Sequence, residues 1–268
     1  FMMRRRMGLL GVLMLIAGQA VAQIAPPRPD FDGDGHTDFL FANAIDSTLE
    51  VWLMDGVVRD GAPVIPVPPG PAHANWKVAC VADYNAQSWP DILWRNADSG
   101  KLVLWTMRWV DSPPGTRTYE RIRGDFLVPL PQDEGMISDL DWQIVACPDV
   151  GSMAPGASVP NPEPDNKVDI VWQRQSTREI EYWYLVNFNE TNSIATSPSA
   201  PADVNWKLIA ARDFGTSPSN SAPNNRVDLV FQNTTSKKTV VWFMNGHEKT
   251  GGAFTNPAEP VDLNWDVT

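Results

Sequence analysis

Four times along this chain an aspartate is followed at +3 by a large aromatic residue and at +14 by a tryptophan, without a single-residue slip. The sets are Asp38/Phe41/Trp52, Asp91/Trp94/Trp105, Asp169/Trp172/Trp183 and Asp228/Phe231/Trp242. Each set is followed, after a variable stretch, by an Asn-Trp or Asp-Trp pair: Asn75-Trp76, Asp141-Trp142, Asn205-Trp206 and Asn264-Trp265. Of the 12 tryptophans, only Trp89 and Trp109 fall outside these positions. Self-similarity at a fixed spacing is the mark of a propeller, solenoid or array, and it constrains the fold more than any single residue does.

Within each repeat the spacing predicts a hairpin. If the chain turns midway between the +3 and +14 aromatics, those two rings face each other across an antiparallel pair. The second repeat has Ser99-Gly100 at that midpoint, a good turn dipeptide. The others have Asp46-Ser47, Thr177-Arg178 and Ser236-Lys237, polar but without glycine, where a longer loop is open. On this reading the repeated aromatics are structural, since cross-strand aromatic pairs stabilise a sheet by burial and contact.

Counting β-like runs gives four per repeat. In the second they are Trp76 to Asp83, Asp91 to Asn96, Lys101 to Met107 and a less regular piece from Arg121 to Pro129. Four antiparallel strands per repeat, arranged radially, make a propeller blade. The expected fold is therefore all-β, a β-propeller of about four blades, with repeats over about 30–74, 75–140, 141–204 and 205–263. The first repeat has no Asn-Trp strand of its own, and 264–268 is such a strand with no repeat after it. Those residues are expected to complete the first blade and close the ring; the alternative is a fragment of a larger propeller.

Residues 1–22 stand apart. Arg4, Arg5 and Arg6, the apolar run Leu9 to Ala17 and the small-x-small site Ala20-Val21-Ala22 form the pattern of a secretory signal peptide. The run is too short to span a bilayer. The expectation is a secreted, periplasmic or cell-surface protein with no membrane insertion after cleavage. Losing the three leader arginines takes the formal net charge from −11 to −14, which argues against nucleic acid and anionic membrane as partners. Export permits a disulfide between Cys80 and Cys147. However, they stand at Trp76+4 and Trp142+5, and a one-residue offset sends side chains to opposite faces of their strands. Two buried free thiols are expected.

The chemistry concentrates in the first repeat, where DFDGDGHTD runs from Asp30 to Asp38. Asp30, Asp32, Asp34 and Asp38 stand at positions 1, 3, 5 and 9, with Gly35 allowing a sharp turn and the His36 backbone carbonyl at position 7. Hard oxygen donors around one point are what Ca2+ requires. Phe41 occupies position 12, where an EF-hand has its glutamate, so Asp38 must close the site. In the second repeat Asp83, Asn85, Gln87 and Asp91 hold the same places with two charges, compatible with a weak site or a hydrogen-bonded turn. The third and fourth keep Asp149 with Asp169 and Asp213 with Asp228 around insertions of 12 and 7 residues. Asp165 and Asn224 match Asp34 there, but nothing fixes position 3, so these loops are expected to be corners or recognition loops.

The DFDGDGHTDFLF segment, the Trp-x-Met-x-Gly stretches at Trp52 to Gly56 and Trp242 to Gly246, and the Asn-Trp-Lys-Val opening of the second repeat resemble the FG-GAP and VCBS-type repeats of bacterial exported proteins. The resemblance implies a β-propeller with calcium in the inter-strand loops, and binding or adhesion more often than catalysis. The third repeat departs from it, with Val150-Gly151 and a proline-rich insertion in place of the acidic loop.

No catalytic motif accompanies the repeats. The three histidines, His36, His73 and His247, have neither metalloprotease nor triad spacing, and no carboxylate pair is singled out. An enzyme is the least expected outcome. Two readings remain. One is a binding or adhesion module for a glycan or a surface protein, with Trp89 and Trp109 as a stacking surface or as ordinary blade packing. The other is a structural element of an extracellular assembly, with Ser152 to Asn166 and Thr216 to Asn225 as contact loops or disordered insertions.

Overall fold

The computed structural model describes residues 29–111, 117–220 and 222–260. The expected signal peptide at 1–22 and the expected closing strand at 264–268 lie outside these residues. The first unit holds strands β1 (Phe39–Ala42) and β2 (Leu49–Trp52), with a small hairpin of β3 (Met54–Asp55) and β4 (Val58–Arg59). The second is a four-stranded antiparallel sheet of β5 (Trp76–Ala82), β6 (Asp91–Asn96), β7 (Leu102–Asp111) and β8 (Arg117–Phe126). After a short helix, α1 (Glu134–Ser138), the third unit has β9 (Trp142–Ala146), β10 (Ile170–Arg174), β11 (Ile180–Val186) and β12 (Asn189–Ala195). The fourth has β13 (Trp206–Arg212), β14 (Asp228–Asn233), β15 (Thr239–Asn245) and β16 (Glu248–Phe254). Strands neighbouring in sequence are neighbours in each sheet, as in the blades of a propeller. In the first blade the described residues give β1 and β2, with Val64 bridged to Val51.

The ladder geometry refines the expected hairpin. The +14 tryptophan pairs across the strands with the +1 residue: Phe39↔Trp52, Ile92↔Trp105, Ile170↔Trp183 and Leu229↔Trp242. The +3 aromatic is its diagonal neighbour on the same face, with ring centroids 4.7, 5.0, 4.9 and 4.6 Å apart in the four blades. The turn is centred one residue off the sequence midpoint because the loop ends on a residue in the left-handed region. That residue is Gly100 in the second blade and Ser47, Arg178 and Lys237 in the others, so only one blade uses glycine where the geometry favours it.

Each sheet thus has a ladder face, carrying the +1, +3 and +14 residues, and a reverse face, carrying +2 and +13. Blades stack ladder face on reverse face. Trp94 and Trp105 pack against Leu49 and Val51 of the first blade. Trp172 and Trp183 pack against Leu93 and Leu104 of the second. Phe231 and Trp242 pack against Val171 and Tyr182 of the third. Polar residues cross the seams as well: the Arg95 guanidinium lies over the Trp172 ring and donates to the Trp142 carbonyl, and Gln173 Oε1 accepts from Leu208 N–H at 2.9 Å.

This stacking overturns the expectation of free thiols. Cys80 and Cys147 form a disulfide, with Cα atoms 6.2 Å apart. The offset does send the two side chains to opposite faces of equivalent strands, β5 and the end of β9. Adjacent blades, however, meet by opposite faces, so side chains on opposite faces of neighbouring blades point at each other. The strands are also bulged at the same place, between Val78 and Cys80 and between Val171 and Trp172 of the pairings.

Candidate functional site

One device recurs at the top of every blade. The aspartate heading each set is buried, and one of its oxygens accepts the backbone N–H at +16: Met54 at 2.7 Å, Met107 at 2.8 Å, Leu185 at 3.0 Å and Met244 at 2.9 Å. The other oxygen accepts the N–H of Phe31, Tyr84, Val150 or Phe214 in the preceding loop. Asp38, Asp91, Asp169 and Asp228 therefore staple loop to hairpin. Burial raises the carboxyl of all four, Asp169 well above the usual carboxylate range, Asp91 to about 7 and Asp228 to about 6, against the pull of the two N–H donors. The geometry itself serves the carboxylate form, since both oxygens accept.

The first aspartate of each loop folds the corner. Asp30 accepts Gly33 N–H at 2.7 Å and Gly35 N–H at 2.9 Å. Asp83 accepts from Asn85, Gln87 and Ser88, Asp149 from Gly151, Asp165 and Asn166, and Asp213 from Gly215 and Asn225. The insertions of the third and fourth repeats thus leave the corner intact. Asn192 donates to Ala154 and Ala157 of the third repeat's insertion, and Arg226, just after the fourth repeat's insertion, forms an ion pair with Glu163 of the third's.

Among the described residues, the first loop is the one that brings three carboxylates together as possible ligands. Ligand atoms of Asp30, Asp32 and Asp38 all lie within 4.8 Å of one another. Burial raises the Asp32 carboxyl, with the charges of Asp34 and Asp30 adding to it. This hard-oxygen donor set fits Ca2+. Asp34 is not part of the group: it accepts His36 N–H at 2.7 Å and its other oxygen lies 3.1 Å from His36 Nδ1. Asp55, which the sequence reading did not single out, stands 3.6 Å from the same nitrogen. In the second loop an amide replaces the third carboxylate, Asn85 donating to Asp91 at 3.4 Å. Gln87 donates its backbone N–H to Asp83 and to Asn85, so this loop is a closed, hydrogen-bonded turn.

Trp89 and Trp109 converge on the first loop from the second blade. The Trp89 ring lies so close to Gly33 that a Cβ there would stand 3.2 Å from it. Trp109 donates its indole N–H to the Phe31 carbonyl at 2.5 Å, while the Phe31 ring is buried edge-on against Tyr119 at 5.5 Å. The Arg117 guanidinium sits over both indoles, 5.4 Å from Trp89 and 4.5 Å from Trp109. Both tryptophans are partly buried, so they pack against the blade and still present an edge to solvent. A separate cavity of about 380 Å³ runs beside the disulfide, lined by Val81, Ala146, Ile209, Ala210, Arg212 and Asp213 among others. Its walls come from three inner strands, and no local spacing marks it.

Residues 30–94 match the FG-GAP-like repeat family. No curated protein and no solved structure matches the chain. Among the described residues no helix is long and apolar enough to cross a membrane.

Proposed function

We propose that this chain, whose residues 30–94 match the FG-GAP-like repeat family, is an exported, calcium-binding module of the β-propeller binding or adhesion type, without catalytic activity. It holds Ca2+ in the Asp30–Asp38 loop and presents the adjoining aromatic surface to a glycan or a surface protein. The observation that carries this reading is the convergence of Asp30, Asp32 and Asp38 beneath two tryptophans that touch the same loop. A bound cation would neutralise the carboxylate cluster and hold the loop on which Trp89 and Trp109 rest. Indole edges beside polar groups suit sugar stacking or a protein hot spot. Export is supported by the leader-like start of the sequence and by the disulfide, which an oxidising compartment favours.

A glycan array on the purified chain, with calcium and with chelator, tests this. Calcium-dependent binding to one sugar class that falls in Trp89→Ala supports the glycan form; binding of surface proteins alone supports the other. Calcium-independent behaviour throughout would sink the metal assignment.

A further inference from the structure

The second, third and fourth blades are entered in the same way. The incoming linker bridges the outer strand in parallel, Val67 to Glu120, Val128 to Asn189 and Ser197 to Glu248, and then crosses to the inner strand. In the second and fourth blades the tryptophan opening that strand, Trp76 or Trp206, stands nine positions beyond the bridge, whereas in the third Trp142 stands 14 beyond it. The longer linker forms α1 and seats Met136 and Ile137 in the cluster of Trp172 and Trp183. Glu190 of β12 accepts Leu130 N–H and contacts Asp133, and Ser193 donates to Asp133 at 2.9 Å. The third blade thus carries a peptide segment on the outer part of its ladder face.

The second and fourth blades have no such segment. Gly124 and Gly252 stand opposite the +14 tryptophan where the third blade has Ser193. Three positions before them, where the third blade has Glu190, come Arg121 and Lys249, lying over that tryptophan's ring at 4.7 and 4.4 Å. Two positions after them come Phe126, 60 % exposed, and Phe254, with ring centroids 6.4 and 6.1 Å from Trp76 and Trp206. In the second blade Trp76, Trp105, Arg121 and Phe126 line a cavity of about 220 Å³ together with Pro71 and Ala72 of the linker. Its walls and that linker lie wholly within the described residues. It is also remote from the acidic loop: Phe126 pairs with Val103 at the start of β7, whereas Trp109, which reaches Phe31, lies near the other end of that strand.

The third blade shows what such a place accepts, and the exchanged residue shows how the other two differ. There a carboxyl of the segment, Asp133, meets a carboxyl of the blade, Glu190. Arg121 and Lys249 are exposed, and among the described residues neither pairs with a carboxylate. A guanidinium or ammonium at this position turns the same contact into an ion pair. We propose that the open place on the second blade, repeated on the fourth, is a docking site for an acidic segment of another protein. A carboxylate of that segment sits on Arg121 or Lys249, and apolar side chains three and four positions later, spaced as Met136 and Ile137 are from Asp133, enter the aromatic cavity. The chain's own segment is already seated on the third blade, so the occupant comes from a partner.

Fluorescence anisotropy with a labelled synthetic peptide of residues 130–141 tests this, since that sequence carries Asp133, Met136 and Ile137. The peptide should bind the purified chain, and the same peptide with Asp133→Lys should bind about tenfold more weakly. The chain carrying Arg121→Glu and Lys249→Glu, with wild-type circular dichroism, should lose the unchanged peptide and bind the Asp133→Lys peptide better than the unchanged chain does. No binding at millimolar peptide overturns the proposal, and so does equal binding of the two peptides by the unchanged chain; neither result depends on a variant chain folding. Binding of polygalacturonate in place of the peptide, lost in the same double variant, also overturns it, because the site would then belong to an acidic glycan.

Discussion

The indole N–H of Trp109 donates to the backbone carbonyl of Phe31 across 78 residues of sequence, at 2.5 Å. That one bond ties the acidic loop of the first blade to the long third strand of the second, beside the edge-on packing of Phe31 on Tyr119. Trp109→Phe keeps a ring in place and removes the donor, leaving the Phe31 carbonyl unpaired. The expected loss is about 1–3 kcal/mol, read as a fall in melting temperature of several degrees. Trp89→Phe, which removes no indole hydrogen bond found among the described residues, should cost less.

Calcium should stabilise the chain by mass action. At a free concentration about 100 times Kd, a cation bound only by the folded state adds about 2.7 kcal/mol, or about 5–10 °C for a protein of this size. Scanning calorimetry with calcium and with chelator checks this. The Asp30→Asn, Asp32→Asn double variant should melt at one temperature in both conditions. Because Trp89 lies on Gly33, chelation should also shift tryptophan fluorescence in the wild type and not in that variant.

The stapling aspartates make a prediction independent of any metal. Asp169 and Asp228 each accept two backbone N–H groups from inside the protein. Asp169→Asn or Asp228→Asn turns an amide NH2 toward one of those donors and leaves it unpaired, at a cost of about 1–3 kcal/mol. Urea unfolding, with and without calcium, should give the same loss for both variants. Asp38→Asn should lose more in calcium than in chelator, since Asp38 belongs to both the staple and the carboxylate group.

How much of this was legible in the sequence follows from how local each feature is. The Trp94/Trp105 spacing is a property of one hairpin, so periodicity revealed it and the four-strand blade around it. The turn was placed one residue off because Ser47, Arg178 and Lys237 adopt a left-handed conformation that their residue types do not announce. The first loop was readable because Asp30, Asp32 and Asp38 lie close in sequence. The turn of Asp34 toward His36 was not, because it is a rotamer choice. The disulfide was misjudged because strand alternation describes one sheet, whereas Cys80 and Cys147 meet between two. The exposure of Phe41 was invisible for the same reason: its sequence environment matches that of Trp94, which is buried.

The Cys80–Cys147 bridge closes a separation of 67 residues and pins the inner strands of the second and third blades. Removing a native disulfide of this span should cost about 2–5 kcal/mol. Cys80→Ala with Cys147→Ala, compared with wild type by guanidinium unfolding, checks it. Reduction of the wild type should reproduce the double variant, and the variant itself should be insensitive to reductant.

The buried carboxyl of Glu190 gives the chain a pH dependence of definite sign. Glu190 is 5 % exposed; one oxygen accepts Leu130 N–H at 2.7 Å, and the other has no protein donor among the described residues. Burial first, and contact with Asp133 next, push its pKa up to about 9. Burial likewise raises nearby Glu181, with the charge of Asp133 adding to it. An unfolded glutamate releases its proton near 4.3, so between that value and about 9 the folded state holds a proton that the unfolded state does not. Stability must therefore fall as pH rises across this window and level off above it. Glu190→Gln keeps an acceptor for Leu130 and supplies a fixed donor toward Asp133. Its melting temperature should change less than that of the wild type between pH 6 and pH 9 in matched buffers, a range in which the wild-type fold holds a proton that the unfolded chain has released. Equal slopes for the two proteins would show that the carboxyl is ionised in the fold.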